Sequence, residues 1–162
     1  MTAAAIVVAL VIAQRLAELC IAGANTRTLR QRGGIETDAA GYPWLVVLHA
    51  AWIGTLVVLT PNATLSWPWL GVFLLLQGAR AWTIASLGRR WTTRVIVLPG
   101  APLVAAGPYR YLRHPNYAIV ATEIFVLPLA LGAPATALIS GAANLVLLRR
   151  RIAIENRALG LT

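Results

Sequence analysis

Five apolar stretches alternate with more polar connections along the chain, and they cover residues 3–22, 44–60, 69–87, 117–132 and 135–148. A transmembrane helix needs about 17–25 predominantly apolar residues, so the first three stretches are long enough to cross a bilayer. The last two are shorter, but only Ala133 and Pro134 separate them, and each can gain length from its polar flank. The pattern predicts an all-α integral membrane protein with five transmembrane helices, the last two forming a helical hairpin.

Arginine is concentrated in alternate connections. Twelve of the 14 arginines lie in 25–43, 89–116 and 149–162, whereas 61–68 and 132–134 carry no charge. Because cytoplasmic loops of membrane proteins carry the excess of positive charge, the N-terminus is predicted outside and the C-terminus inside. Residues 1–10 lack the basic start of a secretory signal, so we expect the first helix to be retained in the membrane. Tryptophans at four positions fit interfacial belts: Trp44, Trp52, Trp67 and Trp69.

Composition supports the membrane assignment and excludes several classes of protein and of binding site. The 162 residues are 59% hydrophobic and 12% charged, against about 25% charged in a soluble domain. The absence of lysine excludes a phosphate-binding P-loop and a lysine Schiff base. The single cysteine, Cys20, and two histidines argue against a structural zinc site, and we expect no metal. We interpret the net charge of +9 as cytoplasmic arginine and expect no nucleic-acid partner.

The polar run 107–117 stands directly before the fourth apolar stretch. Pro115 suits the first turn of a helix, where its missing N–H would have no partner. Free N–H groups give that helix end a partial positive charge, and Arg113 and His114 lie beside it. These features suit a bound carboxylate or phosphate at the membrane surface. The alternative is an interfacial anchor rich in arginine and tyrosine.

The fifth helix is predicted to continue beyond the apolar stretch, because 149–159 contains no proline or glycine. Glu155 would then lie roughly 10 Å past Leu148. Since the last two helices form a hairpin, Glu155 and His114 should emerge on the same side. The alternative is that Glu155 only makes an i,i+4 surface pair with Arg151.

Polar side chains also occur within the apolar stretches. Charged groups at membrane depth are costly and usually face the interior of the helix bundle. Arg15 and Glu18 share a helix face and can serve as interhelical glue. Glu123 can pair with Arg80 or Arg15, or can act in a site beside 113–117. The full set is Arg15, Glu18, His49, Gln77, Arg80, Glu123 and Asn144.

The run Gly107-x-Tyr109-Arg110-x-x-Arg113-His114-Pro115-Asn116-Tyr117 resembles the signature of the isoprenylcysteine carboxyl methyltransferase family. These integral-membrane enzymes use S-adenosylmethionine, and a wider related set includes phospholipid methyltransferases. The segments 87–93 and 98–100 and the tail Arg151-Ile152-x-x-Glu155 agree in order and spacing. The resemblance covers about 87–160 and implies a single domain over 1–162. Its 1–88 part would supply three helices, and 89–162 the cofactor loop, hairpin and C-terminal helix.

Within the family the chain looks most like short bacterial members that O-methylate long-chain alkylpyrones and alkylresorcinols. The start Arg15-Leu16-x-Glu18-Leu19, the segment 91–93 and the run 98–104 carry that likeness. Two departures stand out. The family usually has Leu-Gly where this chain has Ala118-Ile119, which puts the local packing in doubt. The family tail commonly carries paired glutamates, whereas Asn156 follows Glu155 and would serve as a neutral hydrogen-bonding group.

The resemblance implies a role for each matching residue. The carboxylate of S-adenosylmethionine would lie by Arg113 and His114, and Glu155 would hold its ammonium or ribose hydroxyls. Aromatic faces attract a cation such as the sulfonium. The implied cofactor-binding residues are Leu103, Val104, Gly107, Tyr109, Arg113, His114, Pro115, Tyr117 and Glu155.

The acceptor is expected to be a lipophilic small molecule that enters sideways from the membrane lipids. Methyl transfer requires alignment of oxygen, carbon and sulfur and exclusion of water. For a phenol or enol, Glu123 or His114 could take the proton and Arg80 could stabilise the oxyanion. A carboxylate acceptor would need no base. The expected acceptor-side residues are His49, Arg80, Trp91 and Glu123.

Other functions remain open from the sequence. A prenylated thiol carboxylate or a phospholipid amine could be the acceptor. A non-enzymatic lipid-binding protein is a different class, which the run 113–117 and Glu155 disfavour. A proton-coupled transporter could use Arg15, Glu18 and Glu123, but five spans show no repeat of the kind such folds contain.

Overall fold

The computed structural model describes residues 2–161, and five α-helices dominate it. Their bounds are α1 Ala3–Gln31, α2 Tyr42–Leu59, α3 Trp67–Leu87, α4 Pro115–Ala130 and α5 Pro134–Ala158. By length and composition α1, α2 and α3 can cross a membrane, while α4 is a shorter apolar helix. The prediction of an all-α membrane protein with five helices is confirmed.

The last two helices form the predicted hairpin. Pro115 begins α4 and Pro134 begins α5, as expected for a residue without a backbone N–H in the first turn. Gly132 makes the tight turn between them with φ of +71°, a conformation that favours glycine. A Cβ on Gly132 would also lie 2.5 Å from Oγ1 of Thr64, so the turn packs closely on the connection before α3.

Two helices are longer than the apolar stretches predict. Helix α1 continues to Gln31 rather than ending near Ala22, so Asn25 and Arg27 lie on a helix and not in a connection. Segment 23–31 is polar but contains no proline, and the buried Thr26 and Leu29 hold it in place. Helix α5 runs to Ala158, which confirms the extension predicted beyond Leu148.

A two-stranded antiparallel sheet, which the sequence pattern did not predict, joins two distant connections. Strand β1 is Ile35–Glu36 and strand β2 is Ile96–Val97, with Ile35 opposite Val97. Two residues are too few for the alternation that identifies a strand. The pairing places the first and third connections on the same side of the bundle, as the arginine pattern predicts.

The apolar core fills the opposite end of the bundle. It includes Ala4 and Val8 near the start of α1, Phe73 early in α3 and Leu127 near the end of α4. Trp52 belongs to this core and is 2% exposed, so its assignment to an interfacial belt is wrong. It lies in the middle of α2 on the face that meets the core. Trp44, Trp67 and Trp69 are exposed, as a belt requires.

Candidate functional site

One cavity of about 780 Å³ occupies the bundle end away from the apolar core, and all five helices contribute to its wall. Tyr109 and Arg113 line it from the third connection, and Tyr117 from α4. Leu16 of α1 and Val46 of α2 line it too, and both are also exposed on the outer surface of the bundle. The cavity therefore extends from the polar loops to an apolar opening between α1 and α2.

The segment Trp91-Thr92-Thr93 fastens the third connection to the helices. Asn25 of α1 donates from Nδ2 to the Trp91 carbonyl at 2.7 Å, and the hydroxyls of Thr26 and Thr92 are 2.7 Å apart. The Tyr42 hydroxyl of α2 lies 3.2 Å from Oγ1 of Thr93. The sequence contains no local signal for these three contacts, because the partner residues lie on helices that are distant along the chain.

Hydrogen bonds between α4 and α5 build the polar end of the cavity. Tyr117 donates its hydroxyl hydrogen to Oε2 of Glu155, and Arg151 donates from Nε to the Tyr117 oxygen at 3.1 Å. His114 Nε2 lies 2.8 Å from Oδ1 of Asn156. Glu155 and His114 therefore emerge on the same side, as predicted, and Asn156 is a hydrogen-bonding group as expected.

Arg151 does not form the surface pair with Glu155 that was the alternative prediction. Within residues 2–161 its guanidinium donates to Tyr117 and to the Thr93 carbonyl, and the residue is 4% exposed. Oε1 of Glu155 has no hydrogen bond to any described residue. One carboxylate oxygen thus remains available to a ligand in the cavity.

The tyrosine on the short turn Gly107–Arg110 faces the same carboxylate. Burial, and then the negative charge of Glu155, raise the pKa of Tyr109 above its ordinary value. Both causes oppose ionisation of the phenol. Tyr109 therefore stays a neutral phenol, whose hydroxyl can donate a hydrogen bond and whose ring can stack on a nucleoside base.

The predicted cofactor residues do not all reach the cavity. Gly107 has φ of +55°, and a Cβ there would lie 2.1 Å from Oγ of Ser86, so it packs against α3. Pro115 is buried at the start of α4. Neither residue belongs to the cavity wall, whereas the remaining ones do: Leu103, Val104, Tyr109, Arg113, His114, Tyr117 and Glu155.

A buried charge network lies deeper, between α1, α3 and α4. Arg80 donates from Nε and Nη2 to the two oxygens of Glu18, each at 2.6 Å. Arg15 donates to Glu18 at 2.8 Å and to Oε2 of Glu123 at 2.7 Å. Two arginines and two glutamates make the cluster neutral, and their mutual hydrogen bonds offset part of the cost of burying charge.

Glu123 is fully engaged in this network. Its Oε2 accepts from Arg15 and also from Arg80 at 3.0 Å, while Oε1 accepts from Gln77 at 2.8 Å. The residue is 1% exposed. Glu123 therefore pairs with both Arg15 and Arg80, whereas the sequence predicted a pair with one of the two. Taking a proton would cost Glu123 these bonds, so the geometry favours a structural role.

The other acceptor-side candidates line the cavity as well. His49 contacts the Leu45 carbonyl through Nδ1 at 2.8 Å. Trp91 is 2% exposed, with its indole N–H 3.5 Å from Oδ1 of Asn116. Arg80, His49, Trp91 and Glu123 all belong to the wall. Asn144 is fully buried, and neither atom of its amide is bonded within the described part of the chain.

Five helices, a hairpin that carries polar groups and a cavity lined by both polar and apolar side chains describe an all-α membrane protein with a candidate ligand site. Residues 69–160 match the isoprenylcysteine carboxyl methyltransferase (ICMT) family. The chain belongs to that family of membrane methyltransferases, whose members use S-adenosylmethionine. The resemblance inferred from the 107–117 run is thereby confirmed.

Two relatives match almost the whole chain. A Bacillus subtilis (strain 168) protein named "Uncharacterized protein YpbQ" is 38% identical over 159 residues, which is 95% of both chains. A Haemophilus influenzae (strain ATCC 51907 / DSM 11121 / KW20 / Rd) protein named "Uncharacterized protein" is 25% identical over 157 residues, 93% of this chain and 91% of its own. No solved structure matches the chain.

Proposed function

We propose that this protein transfers a methyl group from S-adenosylmethionine to an oxygen atom of a lipophilic acceptor. The observation that carries the proposal is the single cavity that joins the polar α4–α5 hairpin to the apolar opening between α1 and α2. Its volume of about 780 Å³ lies within the roughly 300–1,000 Å³ of ligand pockets, with room for a cofactor and an acceptor head group.

The residues present fit the charges of S-adenosylmethionine. The free Oε1 of Glu155 suits an ammonium or hydroxyl donor, and Arg113 at the exposed mouth suits a carboxylate. The Tyr117 and His114 rings lie 5.5 Å apart and give the polar end a flat aromatic surface, which attracts a cation. When bound, the cofactor supplies a methyl group on a sulfonium that leaves readily.

The chain's own residues hold the reacting groups in position and exclude water from them. The anchored segment 91–93 covers the cavity from the polar side, since Trp91 is almost fully buried. The network of Arg15, Glu18, Arg80 and Glu123 forms the deep wall and holds α1, α3 and α4 in register. A fixed wall favours alignment of the reacting atoms, and a closed cover excludes water.

Leu16 and Leu19 are 58% and 49% exposed and also line the cavity. These two observations support an acceptor whose tail stays in the bilayer while its head enters between α1 and α2. We favour O-methylation of a long-chain phenol or pyrone, following the likeness to the short bacterial members. The family description favours a second candidate, the carboxylate of a prenylcysteine-like acceptor. We place the site at the cytoplasmic face of a bacterial plasma membrane, following the arginine distribution.

The first test is S-adenosylmethionine binding to the purified protein in detergent, measured by calorimetry. Glu155→Ala and His114→Ala should each weaken micromolar binding by about tenfold or more, which corresponds to about 1.4 kcal/mol. Arg157→Ala is the matched control, because it removes a charge from the exposed face of the same helix. A well-folded, monodisperse wild type that binds no cofactor would overturn the proposal and favour a lipid-binding role.

Acceptor choice is tested separately with tritiated cofactor and three sets of acceptors: long-chain phenols, long-chain pyrones and prenylcysteines. Methylation of phenols or pyrones in preference to prenylcysteines supports the favoured assignment. The opposite preference would overturn it in favour of the carboxylate, while leaving the methyltransferase activity in place.

A further inference from the structure

The hydrogen bonding of His49 fixes which ring nitrogen carries a proton. Nδ1 lies 2.8 Å from the Leu45 carbonyl oxygen. A carbonyl oxygen only accepts hydrogen bonds, so Nδ1 must be the donor. The neutral ring then has its lone pair on Nε2. Nε2 makes no hydrogen bond to any residue between 2 and 161.

The position of His49 puts that lone pair on the acceptor side of the cavity. His49 follows Tyr42 by seven residues on α2, which is roughly 10 Å along a helix. Tyr42 bonds to Thr93 at the level of the polar cover, so His49 lies deeper, towards the apolar opening. Its ring meets the buried Trp52 ring edge to face, with centroids 6.5 Å apart, and this contact limits its rotation.

The other groups in the wall that could take a proton near neutral pH either have partners or lie at the polar end among the cofactor residues. Glu18 and Glu123 are bonded to arginines. Glu155 accepts from Tyr117, and His114 contacts Asn156 at the polar end. On the acceptor side, His49 is the side chain of the described wall that has a lone pair available to a ligand.

Charged groups from every other helix surround the same space. Arg15 and Glu18 line the cavity from α1, Arg80 from α3, Glu123 from α4 and Arg151 from α5. The four groups of the network neutralise one another, and so do Arg151 and Glu155 of α5, so the five α-helices bring no net charge to the wall. In such a neutral surrounding, the imidazolium that forms on proton transfer stabilises the oxygen that becomes negative.

We propose that His49 is the proton acceptor for a substrate that carries an acidic hydroxyl, and that the cavity therefore takes phenols or enols. This assignment rests on the proposed function. The acceptor O–H bond breaks as its proton moves to Nε2, and an oxygen lone pair forms the bond to the methyl carbon. The carbon–sulfur bond breaks and leaves its electron pair on sulfur. The imidazolium then returns its proton to water.

The proposal has a test that does not need the cofactor. A long-chain 4-alkyl-2-nitrophenol changes its absorption on ionisation, so the spectrum of the bound probe reports whether its proton has moved. The wild type should ionise the bound probe at a pH about one unit lower than the probe in empty detergent micelles, a tenfold change in the ionisation constant. His49→Gln should remove that shift.

His49→Phe is the second variant, because its ring can keep the contact with Trp52 if the polar substitution does not fold. His114→Ala is the matched control, and it should weaken cofactor binding without changing the spectrum of the bound probe. With cofactor, His49→Gln should lower kcat for a phenol on the order of a hundredfold near neutral pH. The loss should shrink at alkaline pH, where the acceptor ionises unaided, and cofactor affinity should stay within about twofold.

Each outcome decides one claim. A probe that the wild type does not bind, or that ionises alike in the wild type and both His49 variants, overturns the role of His49. An unchanged pH profile of kcat in folded His49→Phe also overturns it. Absence of S-adenosylmethionine binding overturns the proposed function instead, whatever the probe shows.

Discussion

Glu18 and Arg80 bind each other through two hydrogen bonds of 2.6 Å that join α1 to α3. They are 7% and 6% exposed, so neither charge is compensated by bulk water. Bidentate pairing of a guanidinium with a carboxylate fixes relative orientation as well as distance. The pair therefore sets the register of the two helices that form the deep wall of the cavity.

Removing one member of this pair should cost far more than removing both. We expect Arg80→Met to lower the free energy of unfolding by about 3–5 kcal/mol, because it leaves Glu18 and Glu123 short of positive charge. The double variant Glu18→Gln/Arg80→Met should lose less than Arg80→Met alone, because it leaves Arg15 paired with Glu123 in a neutral cluster. Unfolding midpoints in detergent measure this, with Arg27→Met as control, because Arg27 is an exposed arginine of α1. Additive losses would contradict the coupling.

The Tyr117 hydroxyl links Glu155 to Arg151 at the polar end of the cavity. Tyr117→Phe keeps the ring beside His114 but loses both hydrogen bonds. We expect S-adenosylmethionine affinity to fall by about tenfold, because one bond to a charged group contributes about 1.5–3 kcal/mol and part of it is recovered by water. Calorimetry measures the affinity. Equal affinities for the Phe variant and the wild type would show that the hydroxyl does not position Glu155 for the ligand.

Gly107 combines a positive φ with close packing against Ser86. Gly100 has φ of +72° with open space around it, so Gly100→Ala isolates the conformational cost. We expect that cost to be about 1–2 kcal/mol, and Gly107→Ala to exceed it because a Cβ would overlap the serine hydroxyl. Thermal unfolding in detergent compares the two variants. Equal losses of stability would mean that the loop moves away from α3 without cost.

The helices could be predicted from the sequence because apolar length alone decides where a membrane chain becomes helical. Pro115 likewise indicated the start of α4. The end of α1 at Gln31 could not be predicted, since segment 23–31 is polar and its helix is held by Asn25 and Thr26 against residues more than 60 positions away.

In the candidate site, the features that could be predicted were those with a signal in the local sequence or with a large energetic cost. The run 113–117 and Glu155 are local signals on one hairpin, and the pairing of Glu123 with arginine followed from the cost of a charge at membrane depth. The joining of Trp91-Thr92-Thr93 to α1, α2 and α5 depends on contacts between distant segments. A single sequence contains no direct signal for such contacts.

The orientation across the membrane can be tested with single cysteines after Cys20 is replaced by serine. Asn62 and Ala153 are both exposed, at opposite ends of the bundle. We expect a membrane-impermeant maleimide added to intact cells to label Asn62→Cys and to leave Ala153→Cys unlabelled until the cells are opened. The reverse labelling would place the arginine-rich side, and the proposed site, outside the cytoplasm.

Glu36 ties the small sheet together by accepting from Arg30 of α1 and from Arg94, the latter at 2.6 Å. Burial raises the pKa of Glu36, but the hydrogen bonds and charges of Arg94 and Arg30 outweigh it and hold the pKa below the ordinary value of 4.5. A carboxyl group whose pKa is lower in the folded state than in the unfolded state makes its full contribution to stability above the unfolded pKa. That contribution is lost as pH falls through the folded value.

Glu36→Gln should therefore be less stable than the wild type near neutral pH, and the difference should shrink as the pH falls below 4.5. Thermal unfolding across that pH range measures the difference, and hydrogen exchange at 35–36 and 96–97 locates it in the sheet. Asp38→Asn is the control, because Asp38 pairs with Arg150 of α5 at 3.7 Å, whereas Arg30 and Arg94 pair with Glu36. Parallel loss of stability in Glu36→Gln and the wild type on acidification would show that this carboxylate does not hold the two connections together.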